Sequence, residues 1–220
     1  DHPLNLHISP YGMADWYRYL NLGLRVPLVG GSDKMSAGHL LGGIRCYAQL
    51  GSRPLTYDNW MDAIKEGNTF VTIGPLARMQ VEGMNPGGVV DLPVGGGALE
   101  VEWQIESTRL PIDGIEIVVG GHVAHAEVID GDLSAAGSCS VDVREPTWIA
   151  LRTRGSYRGL DEVCAHTSSV QVRVDTRTPF SATDAVTVLE QIQGSIAYVD
   201  TIATRPDRRR FVEIRASLEA

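Results

Sequence analysis

A chain of 220 residues that is 43% apolar and 21% charged is long enough for one or two domains with a full core, and its composition excludes wholesale disorder. Its 27 acidic against 19 basic residues give a net charge of −8, which argues against a nucleic-acid surface. Cys46, Cys139 and Cys164 stand far apart, and the chain contains neither a run of 18 apolar residues nor a basic segment leading into an apolar one. These features exclude a disulfide framework, a zinc ribbon and a membrane-spanning helix, and the chain reads as soluble and globular with no membrane partner.

The chain opens at Asp1 and enters an apolar run within three residues, as a processed chain or a segment of a longer protein does. Leu4 to Ile8 reads as a strand and Pro10-Tyr11-Gly12 as a turn. Met13, Trp16, Tyr17, Leu20 and Leu24 then recur at the spacing of one helical face, with Gly23 near its end as a stop. Val26 to Val29 predicts a short buried strand that runs into Gly30-Gly31-Ser32-Asp33. A further strand is expected within 44–50. Thr56 caps a helix with Trp60, Met61 and Ile64 inward, which stops at Gly67. Thr69 to Ile73 is a strand ending at Gly74-Pro75. Strand, helix, strand, helix, strand predicts an α/β segment with parallel pairing over 1–75.

Beyond Pro75 the period changes to two. Leu99, Val101, Trp103 and Ile105 alternate with Glu100, Glu102 and Gln104, the pattern of a half-buried strand. Other strands are expected at 76–82, 114–119, 122–129, 138–143, 147–153 and 169–175. Residues 76–180 are thus predicted to form an immunoglobulin-like β-sandwich. Net charge changes at the same place, from zero over 1–75 to −7 over 76–180, and the acids read as the solvated strand faces. Ser181-x-x-Asp184 and Thr204-x-x-Asp207 are capping signals for two helices. They predict a hairpin over 181–220 that packs on the α/β part.

Chemistry concentrates at Gly30 to Gly38. A strand that delivers Asp33 and Lys34 at its C-terminal end places a carboxylate for metal binding beside an ammonium that can neutralise a phosphate or an oxyanion. An alternative role for Asp33 is to tighten the loop. His7, also at a strand end, is the second metal-ligand candidate, and Lys34 and His39 are the substrate-binding candidates. His2, His122, His125 and His166 share no ligand spacing, and no catalytic nucleophile motif is present.

WYRYLNLGLRVPLVGGSDKMSAGHLLGGIRCYA (16–48), NTFVTIGPL (68–76), AHTSSVQV (165–172) and SATDAVTVLEQI (181–192) together resemble the C-terminal half of CehA/McbA-type metallohydrolases of the PHP (polymerase and histidinol phosphatase) superfamily. The resemblance implies that 1–75 are the C-terminal strands and helices of a (β/α)7 barrel. It further implies a divalent metal cofactor (Zn, Mn, Fe or Mg) and hydrolysis of a small phosphoester or carbamate ester by metal-activated water. Asp33 matches the Asp of the family's last Asp-x-His motif, Lys34 is the intervening residue, and Met35 stands where the His would be. The earlier barrel strands with their histidine ligands have no counterpart here, so the 220 residues alone are expected to be inactive. A free sheet edge would then pair with the missing barrel segment or with a second copy.

The alternative, from a different class, is a non-catalytic β-sandwich module that binds a ligand or partner, with the glycine loops at 86–88, 95–97 and 120–121 as binding loops. A purely structural role is a third possibility.

Overall fold

The computed structural model describes residues 10–37, 41–157, 160–201 and 208–219. Helix α1 (Pro10–Asn21) is followed by an extended ribbon over 24–35, strand β1 (Arg45–Ala48), helix α2 (Tyr57–Lys65) and strand β2 (Thr69–Thr72). Nine strands come next among the described residues: β3 (Leu76–Val81), β4 (Val89–Leu92), β5 (Gly97–Glu106), β6 (Ile112–Val119), β7 (His122–Asp132), β8 (Ser134–Val143), β9 (Thr147–Tyr157), β10 (Leu160–Thr167) and β11 (Val170–Val174). Helices α3 (Ala182–Thr201) and α4 (Arg208–Glu219) follow.

The strands form the expected β-sandwich. One sheet has the order β3-β5-β8. In the other, β9 lies between β6 and the successive strands β10 and β11; β7 flanks β6, β2 and then β1 flank β10, and β4 flanks β11. Between the sheets, Leu99, Val101, Trp103 and Ile105 of β5 meet Ile115 and Ile117 of β6 and Ile149 and Leu151 of β9. Burial along β5 alternates strictly, with the glutamates in water. Each fully buried aliphatic side chain of this kind contributes about 1.5–3 kcal/mol.

The α/β barrel segment expected over 1–75 is not formed. β1 pairs with β2 antiparallel, from Arg45↔Thr72 to Ala48↔Thr69, and β2 pairs antiparallel with β10 of the sandwich. Among the described residues the one parallel pair is β11 with β4. Val26 to Val29 forms no ladder: only Leu28 is buried, and Val29 is 55% exposed. Side chains satisfy the Leu28 backbone instead. Its N–H donates to Ser168 Oγ at 2.8 Å and its carbonyl accepts from Thr69 Oγ1 at 2.7 Å. A partner strand is therefore not required to satisfy these groups. The change of period at Gly74-Pro75 marks the passage from one sheet to the other, and everything up to Phe180 belongs to one compact unit. The predicted strand over 4–8 lies outside the described residues.

Two strands went unpredicted, β4 and β10. In β10, Cys164 to Thr167 are all buried, so the two-residue alternation disappears. The same holds for β9, where Trp148 to Leu151 are buried on both faces because α1 covers the outer one. Trp16 and Leu20 of α1 pack there with Leu28, Val71, Val118, Trp148 and Ala150. The helix ends three residues before Leu24, which is 50% exposed. Gly23 follows at φ +78°, a left-handed position suited to glycine, where a Cβ would also lie 2.8 Å from the Pro179 carbonyl. In α2 the Thr56 side chain accepts from the Asn59 N–H as predicted, but Trp60 is 38% exposed and Ala63 is the buried residue.

Ser181–Ala220 is a separate unit. Ser181 Oγ accepts from the Asp184 N–H at 3.2 Å, the first half of the expected cap. Arg215 of α4 pairs with Asp200 of α3 at 2.9 Å, and neither helix has a buried residue. The Thr204–Asp207 cap lies outside the described residues.

Candidate functional site

The outer face of the larger sheet, under α1, carries a buried cluster of polar side chains. The Tyr17 hydroxyl lies 2.6 Å from Nε2 of His166, and His166 Nδ1 lies 2.8 Å from the Thr167 carbonyl. A carbonyl only accepts, so Nδ1 carries the ring proton and Nε2 accepts from Tyr17. Trp16 stands edge-on to the imidazole, 5.4 Å between centroids. Arg152 is bridged to Glu116 across the β6–β9 ladder and also faces Tyr17. Burial pushes the His166 pKa down to about 4; the Thr167 carbonyl pulls it up, and the nearby Arg152 charge lowers it further. Burial likewise raises the Tyr17 pKa, opposed by Arg152. Both rings are therefore neutral at pH 7. With His166 1% exposed and both its nitrogens engaged, the pair fixes α1 to the sheet and is closed to any bound molecule.

Beside this pin a cleft of about 440 Å³ opens, within the range of small-molecule sites. Its apolar walls are Leu20 at the end of α1, Leu24, Val26 and Pro27 of the ribbon, and Trp148 of β9. Asp62, Lys65 and Glu66 at the C-terminal end of α2 form one rim, the Gly87-Gly88 loop another, and Ser168, Ser169 and Gln171 the remaining polar lining. Hydrogen bonds between distant parts of the chain hold these pieces. Trp148 Nε1 donates to Asn21 Oδ1 at 2.6 Å, and Gln171 Nε2 donates to the Gly23 carbonyl at 3.1 Å. Leu28, Ser168 and Thr69 close a ring of bonds: Leu28 N–H to Ser168 Oγ, Ser168 hydroxyl to Thr69 Oγ1 at 2.7 Å, and Thr69 hydroxyl to the Leu28 carbonyl. Gly87, at φ +84°, is so close to α2 that a Cβ would sit 1.9 Å from the Glu66 carbonyl. No side chain fits there.

The rim charges are unevenly engaged. Lys65 lies 3.8 Å from Asp62, and Arg53 grips Glu66 with two bonds of 3.0 and 2.8 Å. The exposed Arg25 donates to the Gly87 carbonyl and, among the described residues, has no carboxylate partner. The cleft thus joins an apolar side to an about equally polar one, with the Arg25 guanidinium at its edge, suited to a molecule with an apolar body that bears a carboxylate or another strong acceptor.

The residues singled out from sequence fall elsewhere or outside the description. Asp33 lies on the exposed stretch of the ribbon at φ +42°, and Lys34 Nζ donates to the Ser36 carbonyl at 3.0 Å. His7 and His39 are outside the described residues; among the described residues no three of His, Cys, Asp and Glu come together as a metal would require. Of the glycine loops, 86–88 does line the cleft. Arg25 and His166 were missed. Arg25 acquires meaning only when the ribbon meets the Gly87 loop, 62 residues away.

No family model matches the chain, and no curated protein matches it. Among solved structures, similarity is found to the sulfur carrier protein SoxY from Chlorobium limicola f thiosulfatophilum, with 8% identity and a TM-score of 0.31 over 44% of this chain and 77% of that one. The CARDB domain of PF1109 from Pyrococcus furiosus is 8% identical with a TM-score of 0.32, over 47% of this chain and 98% of that one. A lytic polysaccharide monooxygenase from Jonesia denitrificans is 13% identical with a TM-score of 0.26, over 41% and 60%.

Proposed function

We propose that residues up to Phe180 are a non-catalytic β-sandwich module that binds a small molecule with an apolar body and a carboxylate, in the cleft between α1, α2 and the Gly87 loop. The observation that carries this reading is the cleft itself: about 440 Å³, apolar on the side of Leu20, Leu24 and Trp148, and edged by Arg25 without a carboxylate partner among the described residues. The buried groups nearby are neutral and closed off, which suits binding better than acid–base catalysis. Ligand-observed NMR with matched aliphatic and aromatic carboxylates and their primary amides tests it. Carboxylates should bind more tightly than their amides. Arg25→Gln should erase the difference, and Leu24→Trp should block both. Equal binding of acids and amides to the native protein, or binding untouched by Leu24→Trp, would refute the assignment.

A second reading is the C-terminal portion of a metal-dependent hydrolase acting on phosphoesters or carbamate esters. It is supported by where the resembling stretches fall: 16–48, 68–76 and 165–172 include the second half of α1, the ribbon, β1, β2 and the end of β10, which lie together around Val71 and Trp16. Its metal ligands would come from further chain. Metal analysis with p-nitrophenyl ester and phosphodiester assays on the longest in-frame protein decides it. Metal-dependent turnover favours this reading, and its absence beside cleft binding favours the first.

A further inference from the structure

Strand β8 is an unprotected sheet edge. Among the described residues it pairs with β5 alone, in unbroken register from Gly97↔Val143 to Glu106↔Ser134. Proteins usually blunt such edges with short strands, bulges, proline or lysine. β1 and β4 have four residues each, and the β6–β7 ladder is broken by register shifts. β8 runs for ten residues, SAAGSCSVDV, without a proline, a lysine or a shift.

Neighbouring bonds show which backbone groups are free. The Glu82 N–H donates to the Glu100 carbonyl at 3.0 Å, and the Glu100 N–H donates to Glu82 Oε1 at 2.7 Å. The Glu100 backbone therefore faces β3. By alternation, Val101, Trp103 and Ile105 face β8 and bond to their partners Cys139, Gly137 and Ala135. The N–H and C=O groups of Ala136, Ser138 and Ser140 are left pointing to the open edge.

Two further features bear on what would pair there. The core layer thins along the first part of β8: Ala135, Gly137 and Cys139 point inward yet are only half-buried, whereas their β5 partners are fully buried, and only Val141 and Val143 further on are buried in β8 itself. Trp103 lies over this edge strand, so close that a Cβ on Gly137 would be 2.6 Å from its ring, and its buried indole N–H has no acceptor among the described residues. On the outer face of β5, Glu100 and Glu102 are followed by Gln104, which donates to Glu106 at 2.8 Å; Arg78 of β3 stands opposite Gln104 on one side, whereas β8 on the other presents only Ser and Ala at 134–140. An added strand would lie about 10 Å from β5. Long cationic side chains can reach the glutamates across such small neighbours. A second copy of β8, which contains no Lys or Arg, supplies no such charge.

We infer that β8 accepts, by strand addition, an extended segment of another protein in which Lys or Arg alternates with small apolar or hydroxyl-bearing residues, the cations lying over the β5 glutamates and the other side chains extending the core. The test is calorimetric titration of the whole chain with an acetylated decapeptide alternating Lys and Val, a Glu-Val counterpart, and a Lys-Val peptide N-methylated at alternate residues. The Lys-Val peptide should bind, and more weakly as salt rises. Ser138→Pro removes a free-edge N–H that the fold does not use and should weaken binding by about tenfold or more, with Ser138→Ala close to native. Should Ser138→Pro not fold, loss of binding on N-methylation serves instead. No binding of the Lys-Val peptide, equal binding of the Glu-Val or N-methylated peptide, or native affinity in folded Ser138→Pro overturns the inference. So does a peptide-free dimer that Ser138→Pro dissociates, which would assign the edge to a second copy.

Discussion

His166 shows how far a single side chain can be from its sequence appearance. Nothing around it at 165–168 has ligand spacing, yet it becomes the buried acceptor of Tyr17, 149 residues away. Its chemistry was illegible in sequence because it depends on a helix arriving from the other end of the unit. The consequence is testable by pH. Above 6.5 the imidazole is neutral in folded and unfolded chains alike. Between 6.5 and about 4 only the unfolded chain takes up the proton, so stability falls as pH falls through this window, by about 3 kcal/mol in all, and the loss ends below about 4. Urea midpoints from pH 7.5 to 4 should show this slope in the native protein and a shallower one in His166→Gln; equal slopes would contradict the account. Gly137 is the complementary case, an apparently ordinary small residue whose replacement by Ala meets the Trp103 ring. Gly137→Ala should lower stability by about 1–3 kcal/mol through overpacking, read from the same midpoints.

Elements were legible where local signals and tertiary demands agree. The Thr56 cap, the α1 stripe of Trp16 and Leu20 and the strict alternation of β5 all stand as expected. Agreement fails where a segment is covered on both faces, as in β10, or where side chains replace the ladder, as at Leu28. The expected strand at 26–29 misread a run whose one buried residue is held by Ser168 and Thr69. Two substitutions measure these local contributions. Thr56→Ala should cost about 1 kcal/mol through loss of the N-cap, with the cleft unchanged. Leu20→Ala, which opens a cavity between α1 and the sheet, should cost about 2–5 kcal/mol and also weaken binding in the cleft it lines. Chemical denaturation of each variant, with the carboxylate titration repeated, separates the two effects.

For the molecule as a whole, the sandwich was legible because two-residue periodicity continues over most of 76–180, and the two helices of 181–220 from their apolar spacing; the fold of 1–75 was misassigned because helices interspersed with strands also occur in parallel α/β folds. What decides between them is strand direction, and direction depends on pairing partners far away: β2 joins β10, more than 90 residues on. The central claim is that α1, the ribbon and β2 are integral to the sandwich and build the cleft with it, instead of forming a unit that ends at Gly74-Pro75. Native-state hydrogen exchange in increasing denaturant measures this directly. The account predicts that the slowest amides of β2 share one opening free energy and one denaturant dependence with those of β9 and β10. A separate, lower-energy opening of β2 together with α1, while β9 and β10 stay protected, would contradict it.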